Sequence, residues 1–217
     1  MTFIDLSHPI AHGTVTYPGL PALSITDYLS REASKARYAG GTTFQIARIE
    51  MVANTGTYLD APCHRYENGA DFSSLPLETM ADLEGIAIDA TTAGRAIGPA
   101  LFHGIGLKKR AVLVHTGWSR HFGTNAYAAN HPFLTADAAQ ALIDAGAALV
   151  GIDSMNIDDS SDGTRPVHSM LLAANILIVE HMTNLAALPR AGTFRFFAVP
   201  PAIRGVGSFP VRAFAIT

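Results

Sequence analysis

Two carboxylates and two histidines stand out because of what surrounds them: Asp60, His64, His168 and Glu180. Asp60 and His64 lie one helical turn apart. Pro62 between them, and the Gly56-Thr57 pair before them, argue for a rigid extended turn that aims both side chains inward. A carboxylate beside an imidazole in such a turn can serve as a metal ligand or can orient a base. An Asx turn with a solvated histidine has an equal claim on the same residues. Glu180 follows the apolar run Ile176 to Val179, where a carboxylate is costly unless a metal, a base or a proton partner receives it. His168 opens a predicted helix after a loop, which suits a ligand or a base facing a cleft; a helix-terminal histidine with no task is the plainer alternative.

Other candidates carry less. Asp153 ends a predicted strand and precedes Ser154, Asn156, Asp158 and Asp159, a string without the glycine and the closing glutamate of a calcium loop. Asp153 and Asp158 therefore read as supporting residues or as parts of a turn. Cys63 adjoins His64, but neighbours on an extended chain face opposite ways, so a nucleophile–base pair is not expected there. Gly117-Trp118-Ser119 after a strand reads as an anion-friendly turn with an aromatic wall, and a lone tryptophan is also a common core residue. No glycine spacing forms a phosphate cradle.

The elements that must position these groups follow from periodicity. Strands are expected at Phe3 to Leu6, Thr42 to Met51, Leu83 to Ala90, Ala111 to Thr116, Ala147 to Ile152, Ile176 to Glu180, Phe194 to Val199 and Val211 to Ile216. Thr135 to Gly146 reads as a helix capped by Thr135 and closed by Gly146. Val167 to Ala174 reads as a second helix. Tyr28 to Gly41 reads as polar and flexible, and Gly205 to Pro210 as a turn. Strand, helix and strand from Ala111 to Ile152 form a crossover whose ligand site is expected at the strand carboxyl ends, at Gly117 and from Asp153 onward. No internal repeat or linker divides residues 1–217, which read as one domain of α/β class.

Composition narrows the partners. Hydrophobic residues make up 48% of the chain and charged residues only 15%, so part of the surface is expected to be covered by a partner subunit. With a formal net charge of -3 and scattered basic residues, nucleic acid is not an expected partner. No apolar run reaches bilayer length, and no leader-like segment opens the chain, so a cytoplasmic protein off the membrane is expected. A single cysteine agrees with that compartment.

The run Asn54-Thr55-Gly56-Thr57-Tyr58-Leu59-Asp60-Ala61-Pro62-Cys63-His64 resembles the signature His-x-Gly-Thr-His-x-Asp-x-Pro-x-His of the cyclase-like metal-dependent hydrolases, the bacterial kynurenine formamidase and isatin hydrolase type. Similar flanking features are Asp5-Leu6-Ser7-His8-Pro9, Tyr17-Pro18-Gly19, Thr116-Gly117-Trp118, Gly151-Ile152-Asp153, His168 with Leu171-Leu172, Glu180 with Asn184-Leu185, and Gly207 to Ala213. The resemblance implies a swivelling β/β/α cyclase-like fold with mixed sheets and flanking helices, assembled as a homodimer or homotetramer. It implies Asp60, His168 and Glu180 as ligands of one divalent ion, zinc or manganese, with His64 as the acid or base and Tyr17 at the substrate. Trp118 and Ser119 complete the expected substrate contacts. Asn54 and Tyr58 stand where the signature has its two ligand histidines, and the expectation is that this weakens the metal site.

Two chemistries are expected on this basis. One is hydrolysis of a C–N or C–O bond in a small cyclic or aromatic amide, lactone or imide, with one ion and His64 as proton carrier. The other is metal-free lyase, cyclase, isomerase or lactonase chemistry, with Tyr58 and Asn54 as donors and His64 with Asp60 or Glu180 as the base pair. An inactive small-molecule-binding relative is the third reading.

Overall fold

The computed structural model describes residues 1–217. Strand β1 is Phe3–Asp5, and a hairpin of β2 (Ser24–Leu29) and β3 (Ile46–Glu50) follows, with the short helix α1 (Arg31–Ser34) between its arms. Next come β4 (Tyr58–Asp60), β5 (Leu83–Asp89), β6 (Ala96–Ile97), β7 (Ala111–His115) and β8 (Phe133–Leu134). Helix α2 (Ala136–Asp144) leads to β9 (Leu149–Ile152), and helix α3 (Pro166–Ala173) leads to β10 (Leu177–Glu180). The chain closes with β11 (Phe194–Phe197), β12 (Ser208–Pro210) and β13 (Phe214–Ile216).

Nine strands form one mixed sheet in the order β1-β13-β11-β5-β7-β9-β10-β4-β12. Its centre, β5 to β10, is parallel, as the crossover pattern of buried apolar runs requires. Both flanks are antiparallel. Thr135 caps α2 by accepting the Ala138 N–H, and Gly146, at φ 72°, ends the turn after it.

Alternation along the central strands divides the core in two. Val112, Val114, Val150, Ile152 and Ile178 face α2 and α3, packing on Leu142, Val167, Leu171 and Leu172. Leu113, Leu149, Leu177 and Val179 face the opposite layer of Leu6, Phe72, Met80 and Leu185. Each fully buried leucine at 113, 149 and 177 contributes about 1.5–3 kcal/mol. No helix is long and apolar enough to cross a membrane.

Three local expectations change. The segment expected to be flexible from Tyr28 is entered by strand β2, because pairing with β3 supplies the backbone partners that a polar sequence does not advertise. The extended turn around Asp60 is a paired strand, β4, held between β10 and β12. The turn expected up to Pro210 contains β12, where proline sits at the sheet edge and needs no donor on its outer side.

His8 sits beside the start of β4, where its backbone N–H donates to the Thr57 hydroxyl at 3.0 Å. Its ring stacks on Phe122 at 3.9 Å between centroids, and its Nε2 is buried without a partner. Burial lowers its pKa to about 4. The unfolded chain, with an imidazole near 6.5, therefore takes up a proton that the folded protein refuses between those values. Stability is expected to fall as pH drops from about 6.5 to about 4 and to level off below. Melting temperatures across that range should fall less steeply for His8→Gln than for the wild type; parallel slopes would contradict this.

Candidate active site

Strand register assembles most of the site. Asp60 lies opposite Ile178 of β10 and Ser208 of β12, while Tyr58 lies opposite Glu180 and Pro210. Residues paired across antiparallel strands share a face, as do residues two apart on one strand. Tyr58, Asp60, Glu180 and Ser208 thus project together from the face that α3 covers, the face of Ile178. His168 joins them from the first turn of α3. His64 joins from a turn of 3-10 helix, Pro62–His64, directly after β4. Gly207 backs onto that turn: a Cβ there would strike the His64 backbone nitrogen and lie 2.6 Å from its Cα, so glycine is required for β12 to come this close.

One oxygen of Asp60, Oδ1, accepts the Ser208 hydroxyl, whose Oγ is also 2.8 Å from His64 Nδ1. The other, Oδ2, is buried with no hydrogen-bond partner and lies 3.6 Å from His168 Nε2. Glu180 Oε1 is 3.5 Å from the same nitrogen and accepts the Ile157 N–H at 2.6 Å. Its Oε2 accepts the Tyr58 hydroxyl at 2.5 Å. Behind His168, Asp158 accepts the N–H groups of Val167 and His168 at 2.7 and 3.0 Å, capping α3, and meets the imidazole Nδ1 at 2.6 Å. A proton held at Nδ1 by Asp158 leaves Nε2 turned toward Asp60 and Glu180.

The electrostatics follow from burial. Burial pulls the His168 imidazole down, but Glu180, Asp158 and Asp60 outweigh it and hold the ring well above the ordinary imidazole range. Burial pushes Glu180 up to about 7, with Asp60 adding to the rise and His168 opposing it. Burial, then the charges of Glu180 and Asp60, carry the Tyr58 phenol well above its usual value. Tyr58 is accordingly a hydrogen-bond donor to Glu180 rather than a phenolate ligand.

A donorless buried carboxylate oxygen facing an imidazole that keeps its proton among three carboxylates is a place short of positive charge. The ligand atoms of Asp60, His64 and His168 lie within 4.8 Å of one another, and oxygen and imidazole donors suit zinc or manganese. These residues fit a divalent ion.

A cavity of about 380 Å³ opens onto the cluster, a size suited to a small molecule. Of the residues expected from sequence, Tyr17, Asn54, Tyr58, His64, His168 and Glu180 line it. Trp118 and Ser119, expected at the substrate, do not: the Trp118 indole donates to the Tyr127 carbonyl at 2.9 Å and its ring leans on His121. Asp153 ties down Thr116 and Gly117 at the β7 end through three hydrogen bonds. Sequence reasoning missed Ser208, hidden in a presumed turn, and Arg65, Asn156 and Arg165, which also line the cavity. The signals available were the adjacency of Arg65 to His64, the place of Ser208 in the family-like run Gly207 to Ala213, and that of Asn156 in the polar string after Asp153.

Residues 4–159 match the Cyclase family model. The chain is 29% identical over 214 residues to a kynurenine formamidase of Bacillus thuringiensis subsp. konkukian (strain 97-27), covering 97% of this chain and 95% of that protein. It is 29% identical over 213 residues to a kynurenine formamidase of Bordetella avium (strain 197N), covering 96% and 95%. A solved structure described as a potential metal-dependent hydrolase with cyclase activity is similar with a TM-score of 0.80 at 26% identity, covering 99% of this chain and 96% of that one. An isatin hydrolase bound to thioisatinate gives 0.81 at 21% identity, covering 98% and 91%, a likeness of fold.

The expectation of a metal site weakened by Asn54 and Tyr58 is corrected by these findings. Asp60, His64 and His168 converge as an intact ligand cluster without imidazoles at positions 54 and 58. The mixed sheet flanked by helices is the cyclase-like β/β/α fold, and with the family model matched over most of its length the chain belongs to the cyclase family.

Proposed function

We propose that the protein is a metal-dependent hydrolase that cleaves a C–N or C–O bond in a small aromatic or cyclic amide, lactone or imide. The observation that carries this reading is the unpartnered Asp60 Oδ2 facing His168 Nε2 beside His64, at the end of a cavity of small-molecule size. Its relatives named as kynurenine formamidases support an aryl formamide as the first substrate to try.

Within the cluster, Asp60 and His168 are the buried ligands, and Glu180 offers a further oxygen beside them. A divalent ion held there would supply a water of lowered pKa and polarise the scissile carbonyl. His64 is the exposed member, with Nδ1 held by Ser208, and we give it the transfer of a proton to the leaving nitrogen or oxygen. Tyr58 keeps Glu180 in place, and Asn54, whose side chain reaches the same phenol, is a donor for negative charge developing on substrate. Tyr17, which lines the cavity, is assigned as a substrate contact.

A homodimer or homotetramer is proposed as well, supported by the β2–β3 hairpin, which leaves Tyr28, Phe44, Ile46 and Ile49 exposed. A cytoplasmic location and a single cooperative domain over residues 1–217 complete the reading.

Hydrolysis of formanilide, followed by release of aniline, should disappear on chelation and return with zinc or manganese. His64→Ala should lose activity about 100-fold or more. Activity unchanged in that variant would remove the proton-transfer role, and activity indifferent to chelation would remove the metal. Asp158→Asn should weaken ion binding about 10- to 100-fold in competition with a chromophoric chelator, because His168 loses its orienting partner. Unchanged affinity would show that Asp158 does no more than cap α3.

A further inference from the structure

Arg165 occupies an unusual place. It is the residue before α3, with φ 47° and ψ 60°, in the left-handed region that glycine occupies freely and a long side chain adopts under strain. Pro166 follows and disfavours the ordinary helical conformation at position 165, so the chain must turn here, yet the turn carries an arginine. The guanidinium lines the cavity. Its Nη1 donates to the Asp159 carbonyl at 3.1 Å, and its Nη2 lies 3.5 Å from the Tyr17 hydroxyl.

Both partners are neutral. Neither nearby acid pairs with it directly: the Asp159 carboxylate holds Arg95 at 2.7 Å, and Asp162 accepts the Thr164 hydroxyl and feels the Arg165 charge from beyond hydrogen-bonding reach. Arg65, from the turn after His64, lines the same cavity with its Nε on Ser169 Oγ at 3.1 Å and likewise has no carboxylate partner. Glu180, tied to Tyr58, is the one acidic side chain lining the cavity. A chain of net charge -3 thus places two arginines, neither with a carboxylate within ion-pair distance, around one small cavity, with the charge of Asp162 near Arg165.

We propose that Arg165, with Arg65, is a specificity determinant that binds a carboxylate carried by the substrate away from the bond to be cleaved. This rests on the hydrolase reading and adds the substrate class: an anionic aryl or cyclic amide rather than a neutral one. The planar guanidinium matches a carboxylate with two parallel hydrogen bonds. A carboxylate newly formed by cleavage is not the partner, because the scissile group must reach buried Asp60 and His168, whereas Arg165 and Tyr17 are half-buried, nearer the opening.

The test compares 2-formamidobenzoate with formanilide on the metal-loaded protein, and benzoate binding by calorimetry on the same samples. The wild type should favour the anionic formamide in kcat/KM. Arg165→Gln should shrink that preference about 10- to 100-fold, with Arg165→Lys restoring part of it. Benzoate should bind Arg165→Gln at least about tenfold more weakly than the wild type. Equal preference in wild type and variant, or an equal fall on both formamides, would overturn the proposal and leave Arg165 as a brace between Tyr17 and the Asp159 loop. If neither formamide is cleaved the hydrolase reading fails, and benzoate still decides: weaker binding to the glutamine variant supports the carboxylate site, and unchanged affinity overturns it.

Discussion

Asp60 is fully buried, and only one of its two oxygens has a donor. A carboxylate in that position is tolerated when positive charge stands beside it. Much of the surrounding structure serves that need. The β4 strand is only three residues long, yet it is paired on both sides, and the pairing sets Asp60 between Ile178 and Ser208 and Tyr58 against Glu180. A one-residue slip of β4 would turn Asp60 into the apolar layer of Leu6 and Val179 and bring Leu59 into the cavity.

His168 meets this demand from the other side of the site. Asp158 stops α3 where the helix must start and holds the imidazole by its far nitrogen, so one carboxylate fixes both the helix and the ring. The fold therefore links the start of α3 to the orientation of the His168 ring. Glu180 and Tyr58 form a neutral-leaning pair next to this arrangement: burial raises both groups, and the hydrogen bond between them keeps the glutamate from facing the apolar core alone.

The sequence made part of this legible for specific reasons. Glu180 announced itself through the apolar run before it, and Asp60 and His64 through a proline-locked spacing; all are local patterns. Helix α2 and the parallel centre of the sheet were readable because periodicity and buried runs are local too. Ser208 was not, since its role comes from β12 pairing with a strand far away in sequence. Trp118 looked like a wall because it follows a strand end at a crossover, but its indole donates to the Tyr127 carbonyl and it does not line the cavity. Arg165 was passed over because its place at the cavity, with a carbonyl and a hydroxyl as its hydrogen-bond partners, is displayed only by the folded chain. The departures at Asn54 and Tyr58 suggested a failing metal site, whereas the cluster that matters is made by residues on β4, the turn after it and α3.

The central claim is that the buried Asp60 carboxylate is balanced by a bound cation. Elemental analysis of the folded protein, with zinc or manganese counted per chain in the wild type and in Asp60→Asn, tests it most directly. About one equivalent in the wild type, absent from the variant while circular dichroism stays native-like, is the expected result. A wild-type protein that binds neither metal even after incubation with excess, or an Asp60→Asn variant that retains a full equivalent, would contradict it.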